Sequence, residues 1–155
     1  MLQPFFDWMA ALPISQAIGA SIWIFPLVQA IHLVFLAVLA GSILIVDLRL
    51  LGFGMNSQPV SQVARDARPW LILGLVGMFC TGLPQLMQNA SREYFSEFFW
   101  YKMYLIAFGV LLIVTVRRKV TQTTEPTMAG KLVALVSMAV WTGVTINARL
   151  IGLFT

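Results

Sequence analysis

The sequence predicts an all-α integral membrane protein. The expected architecture is a single transmembrane domain over residues 1–155, a four-helix bundle with a short N-terminal interfacial helical segment. Three observations predict it. Hydrophobic residues make up 59% of the 155 and charged residues only 10%, at a mean hydropathy of +0.86. A soluble domain carries about 25% charged residues, so this chain cannot cover itself for water. Four apolar runs, near 25–46, 69–87, 98–116 and 132–154, come close to the roughly 20 residues that a membrane helix needs. The basic residues cluster after the first and third runs, which is the signature of membrane topology.

The elements follow in order. Residues 1–24 hold apolar Phe5, Phe6, Trp8, Met9 and Leu12, interrupted by Pro4, Asp7 and Pro13. This pattern predicts a short interfacial helix and a second helical piece, Ser15 to Trp23, leading into the first span. The other possibility is a fifth, broken span from Leu12 that fuses with the first. The first span, Phe25 to Val46, has Pro26 where a first turn tolerates proline, and it ends in Asp47-Leu48-Arg49. The second is read as opening at Pro69, again a first-turn proline, with Gly82 and Pro84 loosening its far end. The third stops at Arg117-Arg118-Lys119, and the fourth, Leu132 to Phe154, contains no proline.

Orientation follows from the loops. Arg49, Arg65 and Arg68 follow the first span, and Arg117, Arg118, Lys119 and Lys131 follow the third. The loop after the second has only Arg92, and the N-terminal segment has no Lys or Arg. Lys and Arg favour the cytoplasmic side. The chain is therefore expected in a bacterial inner membrane with both termini periplasmic. Trp23 and Trp100 then lie near the outer interface and Trp70 near the inner one, as aromatic belts require. The net charge of +4 reflects this topology and not a nucleic-acid-binding face. A single cysteine, Cys80, excludes an intrachain disulfide and a multi-cysteine metal site. The N-terminus lacks the basic start of a signal peptide and is expected to be retained.

The only histidine, His32, lies inside the first apolar run. It is seven residues past Phe25, about 10 Å into the bilayer at 1.5 Å per residue. By the same rise Lys102 on the third span and Arg149 on the fourth fall near that depth, with Cys80 and Thr81 of the second close by. Ionisable groups at membrane depth are costly and mark functional sites. A neutral imidazole bonded to a neighbouring helix, with Lys102 and Arg149 snorkelling to the surface, is the purely structural reading. The functional reading joins the three. A large apolar ligand with an anionic edge would use an imidazole at depth and cations nearer the surface, and haem b has that shape. Imidazole is an axial ligand to haem iron, and Lys or Arg pairs with carboxylates. Met87 or Met103 could supply a second axial ligand, although methionines in membrane helices mostly fill space. A five-coordinate haem, or one shared by two His32 side chains across a dimer, needs neither.

His, Cys and Met are also soft ligands suited to copper, but no Met-x-x-Met or Cys-x-x-Cys spacing occurs. No phosphate loop and no nucleophile–base set is present, and Glu93 with Glu97 reads as a solvated pair. No catalytic activity of its own is expected. At the inner end a buried acid needs a partner, and Asp47 is expected to pair with Arg68, or with Arg65, as a structural ion pair.

Taken together, Phe25-Pro26 leading to His32, "GSILIVDLRLLG" from Gly41 to Gly52, Arg68-Pro69-Trp70, Thr81-Gly82, Trp100-Tyr101-Lys102, and Trp141 to Ile151 with Arg149 form a pattern. It resembles a family of small, uncharacterised bacterial integral membrane proteins over nearly the whole chain. Members are loosely similar to the four-helix core of copper-resistance membrane proteins and of small b-type cytochromes. The resemblance implies the bundle and points to these residues without assigning their chemistry. Three functions follow as expectations: a haem-b-binding membrane subunit for electron transfer or sensing; a non-catalytic accessory subunit of a larger membrane complex, bound to lipid; and copper handling. A homo-oligomer or a place in a complex is expected, and nucleic acid is not.

Overall fold

A computed structural model describes residues 2–154. Two short helices, α1 (Gln3–Ala11) and α2 (Pro13–Ala20), precede the long α3 (Ile24–Leu51) and α4 (Val60–Gln88). After a short α5 (Ala90–Tyr94), α6 (Glu97–Leu112) continues through a π-helical turn, Ile113–Arg117, into α7 (Arg118–Val120), and α8 (Met128–Phe154) closes the chain. Four helices are long and apolar enough to cross a membrane: α3, α4, the rod from Glu97 to Val120, and α8. Neither α1 nor α2 is long enough to cross a membrane alone. Leu12 is extended, at φ −62° and ψ 140°, because the residue before a proline is pushed out of the helical region. Ser21 is extended too, and its hydroxyl accepts the N–H of Ile24 at 3.2 Å, capping α3.

Each long helix exceeds its apolar run, and α4 shows why. It starts at Val60, nine residues before Pro69, so Pro69 lies inside the helix and not in its first turn. The N–H groups of Val60 and Ser61 donate to the carbonyls of Thr124 and Thr123 at 3.1 Å, which satisfies the exposed helix start. Val60, Val63 and Ala67 then bury against Val46 and Leu50 of α3 and Ala134 of α8. That burial outweighs the backbone bond lost at Pro69. At the end of α3, Gly52 adopts φ +89°; its N–H and that of Phe53 return to the carbonyls of Arg49 and Leu48. This is a Schellman stop that only glycine makes without strain.

The α1–α2 segment folds back onto one end of the bundle. Phe6 and Met9 bury against Ala90, Phe99 and Ile151. The Phe6, Tyr94, Phe99 and Trp100 rings meet at centroid distances of 5.2–6.2 Å, and Ser15 donates to the carbonyl of Met87. The opposite end holds the other core cluster and most of the basic residues. Arg49, Arg65, Arg68, Arg117, Arg118, Lys119 and Lys131 lie there with Asp47, Asp66 and Glu125. The α1 end balances three cations with three carboxylates. The net charge of +4 is thus concentrated at one end.

The α3–α4 seam is the tightest. A Cβ on Gly74 would stand 2.8 Å from the Cα of Leu39, and Gly77 lies against the Phe35 ring. Backbone cannot yield as a side-chain tip can, so Gly74→Ala is expected to force the helices apart and cost about 1–3 kcal/mol. Gly41→Ala, with open space around it, should change little. Thermal unfolding of the two variants in the same detergent measures the difference, and equal melting temperatures would contradict the close approach.

Candidate functional site

Two positions of α3 anchor the site, His32 and Asp47, fifteen residues apart and so about 22 Å along the helix. Each meets a different set of partners.

His32 faces α4. Its Nδ1 lies 2.7 Å from Oγ1 of Thr81, and the Thr81 hydroxyl donates to the carbonyl of Gly77 at 2.6 Å. A hydroxyl has one proton to give. With that proton on Gly77, the Thr81 oxygen must accept from the ring, so Nδ1 carries the hydrogen. Neutral His32 is therefore the Nδ1–H tautomer, with its lone pair on Nε2. Among the described residues, Nε2 has no hydrogen-bond partner. Gly82 lies beside the ring, where a Cβ would stand in ordinary contact 3.4 Å from Cε1.

Lys102 of α6 joins this end of the bundle. It is half-buried, its Nζ stands 5.2 Å from the centre of the Phe99 ring, and it interacts electrostatically with both His32 and Glu93. The stem is covered while the ammonium keeps a π face and a carboxylate nearby. Burial pushes the Glu93 carboxyl up, against the opposing pull of Lys102 and Arg92. Arg149 is exposed on α8 and, among the described residues, makes no hydrogen bond or ion pair. Of the three residues expected at this level, His32 bonds to Thr81 of α4, Lys102 lies over the Phe99 ring on its own helix, and Arg149 is exposed. Met87 packs on the aromatic cluster, six residues beyond Thr81 and so about 9 Å further along α4. Met103 is 41% exposed. Cys80 is exposed, and among the described residues no three His, Cys, Asp or Glu side chains gather to hold a metal ion.

Asp47 pairs with Arg117, not with Arg68. The distance from its Oδ1 to Nη2 of Arg117 is 3.1 Å, and the same Nη2 donates to the carbonyl of Ile43 at 2.8 Å. Asp47 is fully buried and Arg117 is 4% exposed. Arg68 is exposed on α4, whereas the π turn at 113–117 sets Arg117 against α3. The fully buried Ser137 of α8 lies beside the carboxylate without completing a hydrogen bond. Nε1 of Trp141 is also buried and unpaired. A cavity of about 170 Å³ between α3 and α8, lined by Asp47, Ile43, Trp141 and Thr142, leaves room for water beside Asp47 and Trp141. Sequence reasoning missed Arg117, reading it as a topology marker. Nothing in "VTVRRKV" announces a π turn.

The chain belongs to a family of unknown function, DUF6644, whose model matches residues 5–154. Comparison with curated proteins and with solved structures finds no match.

Proposed function

We propose that this protein is a membrane subunit that holds haem b through Nε2 of His32, in electron transfer or sensing. The observation behind this reading is the hydrogen bond from Nδ1 to Thr81. Metal-bound histidines commonly donate their second ring N–H to a fixed acceptor, which sets the tautomer and aims the other nitrogen. Thr81 does this for His32, so the residues present fit an axial ligand to haem iron. When bound, haem would supply one-electron chemistry. Lys102, half-buried at the same end, would pair with a propionate. Arg149 would add a weaker, solvent-screened contact. Because Met87 packs on the aromatic cluster and Met103 is 41% exposed, the reading favours a single His32 ligand, or two copies of His32 across a symmetric dimer.

The test is haem content. Protein purified from haem-replete cells should show a Soret band, and a pyridine haemochrome assay should return one haem per chain, or half of one for a dimer-shared site. Protein with neither haem nor metal would replace this reading with the accessory subunit. Bound copper without a Soret band would replace it with copper handling.

The concentration of basic residues at the α3–α4 and α7–α8 loops supports a cytoplasmic placement of that end. The His32 end and both termini then face the periplasm of a bacterial inner membrane. A cysteine introduced at Ser57 should react with an impermeant thiol reagent only after cells are opened, and one at Ser91 should react in intact spheroplasts. The reverse pattern would invert the orientation.

A further inference from the structure

α4 packs on α3, and α6 packs on α8. Between α4 and the α6–α7 rod runs a cleft of about 520 Å³. Its two walls show the same gradient. At the basic end they carry Arg65 and Arg68 on α4 and Arg117 and Arg118 opposite; toward the membrane centre they become Leu71, Ile72 and Leu75 facing Val110 and Val114. Arg65, Arg68 and Arg118 are exposed and, among the described residues, their side chains make no ion pair or hydrogen bond. Arg117 is 4% exposed, and its Nη1 is buried without a hydrogen-bond partner. One face of this guanidinium is spent on Asp47; the other is unsatisfied.

A cleft that is cationic at the bilayer surface and apolar below it fits one kind of molecule, an anionic amphiphile whose charge sits at headgroup depth. Guanidinium forks match phosphate oxygens in two-point contacts. Basic pockets between membrane helices on the cytoplasmic side suit phosphate headgroups. A zwitterionic lipid would bring its own cation to the same arginines and lose the advantage. We propose that this cleft is a binding site for an anionic glycerophospholipid, its phosphate held by Arg65, Arg68 and Arg118 and one acyl chain lying along Leu71, Leu75 and Val114. The site is independent of His32, and either can fail without the other.

Native mass spectrometry of the detergent-solubilised full chain, with equimolar phosphatidylglycerol and phosphatidylcholine, tests it. Each cation near the surface favours an anionic lipid, so phosphatidylglycerol adducts should exceed phosphatidylcholine adducts by about tenfold. The triple variant R65Q/R68Q/R118Q should bring the ratio to about one. Val114→Trp, which fills the apolar wall and leaves the arginines, should reduce both adducts and so covers the case in which the triple variant fails to fold. Equal adducts on the unmodified protein, or an unchanged preference in the triple variant, would overturn the proposal. So would displacement of the lipid by millimolar inorganic phosphate, which would make the site one for a free anion.

Discussion

His32→Ala is expected to remove haem completely while leaving the bundle folded. His32 belongs to neither core cluster; those are built from Val46, Leu50, Val60, Val63, Ala67 and Ala134 at one end and from Phe6, Met9, Ala90, Phe99 and Ile151 at the other. The substitution loses one hydrogen bond to Thr81, worth about 1 kcal/mol. Thr81→Val is the finer probe. It keeps the imidazole and the shape of α4 but removes the acceptor that fixes the tautomer. Loss of such an orienting partner weakens metal retention by about 10–100-fold, so Thr81→Val should bind haem with reduced occupancy and a shifted Soret maximum. Lys102→Ala should weaken retention without abolishing it, since Lys102 would act on the anionic edge and not on the iron. These outcomes are read from the reduced-minus-oxidised spectrum and the haem-to-protein ratio. Haem retained in full by His32→Ala would sink the assignment of the ligand, and full occupancy in Thr81→Val would remove the argument from the tautomer.

The second large effect concerns stability. Removing one partner of a buried ion pair costs about 3–5 kcal/mol, because the other charge is left buried and uncompensated. Asp47→Asn strands Arg117, and Arg117→Gln strands Asp47; each should lower the midpoint of thermal or denaturant unfolding in detergent substantially. The double variant should recover part of the loss, because no buried charge remains. Arg68→Gln, at an exposed position, should stay within about 0.5 kcal/mol of the unmodified protein. A double-mutant cycle across these variants reads the coupling directly. Coupling of Asp47 to Arg68 and none to Arg117 would refute the pairing seen in the structure.

The same pair shows where reading the sequence stops. That a buried acid at the end of α3 needs a cation follows from its position among Ile43, Leu44, Val46 and Leu48. Which of the neighbouring arginines answers depends on the direction in which each helix points its side chains. The π turn advances Arg117 onto α3, and α4 turns Arg68 outward into the cleft. Pro69 misled for a related reason. Locally it marks a helix start, yet the helix begins at Val60 because carbonyls from the α7–α8 loop, more than 60 residues away in sequence, cap its first N–H groups.

The amino-acid sequence by itself determined the all-α architecture and the four helices able to span a membrane. Both follow from residue type counted along the chain: apolar runs of spanning length set by the thickness of a bilayer, with almost no charge to cover a surface in water. The concentration of cations at one end was also legible, because two loops carry it. Only the tertiary structure decided which side chains meet. The pairing of His32 with Thr81, the tautomer this imposes, the choice of Arg117 over Arg68 and the cleft between α4 and α6 all depend on helix rotation and separation. Those are set by the close contact at Gly74 and Gly77, by the docking of α1 and α2 on one end, and by the π turn. A membrane helix that is apolar all round carries no periodic stripe to announce its rotation, so close packing at these points settles it.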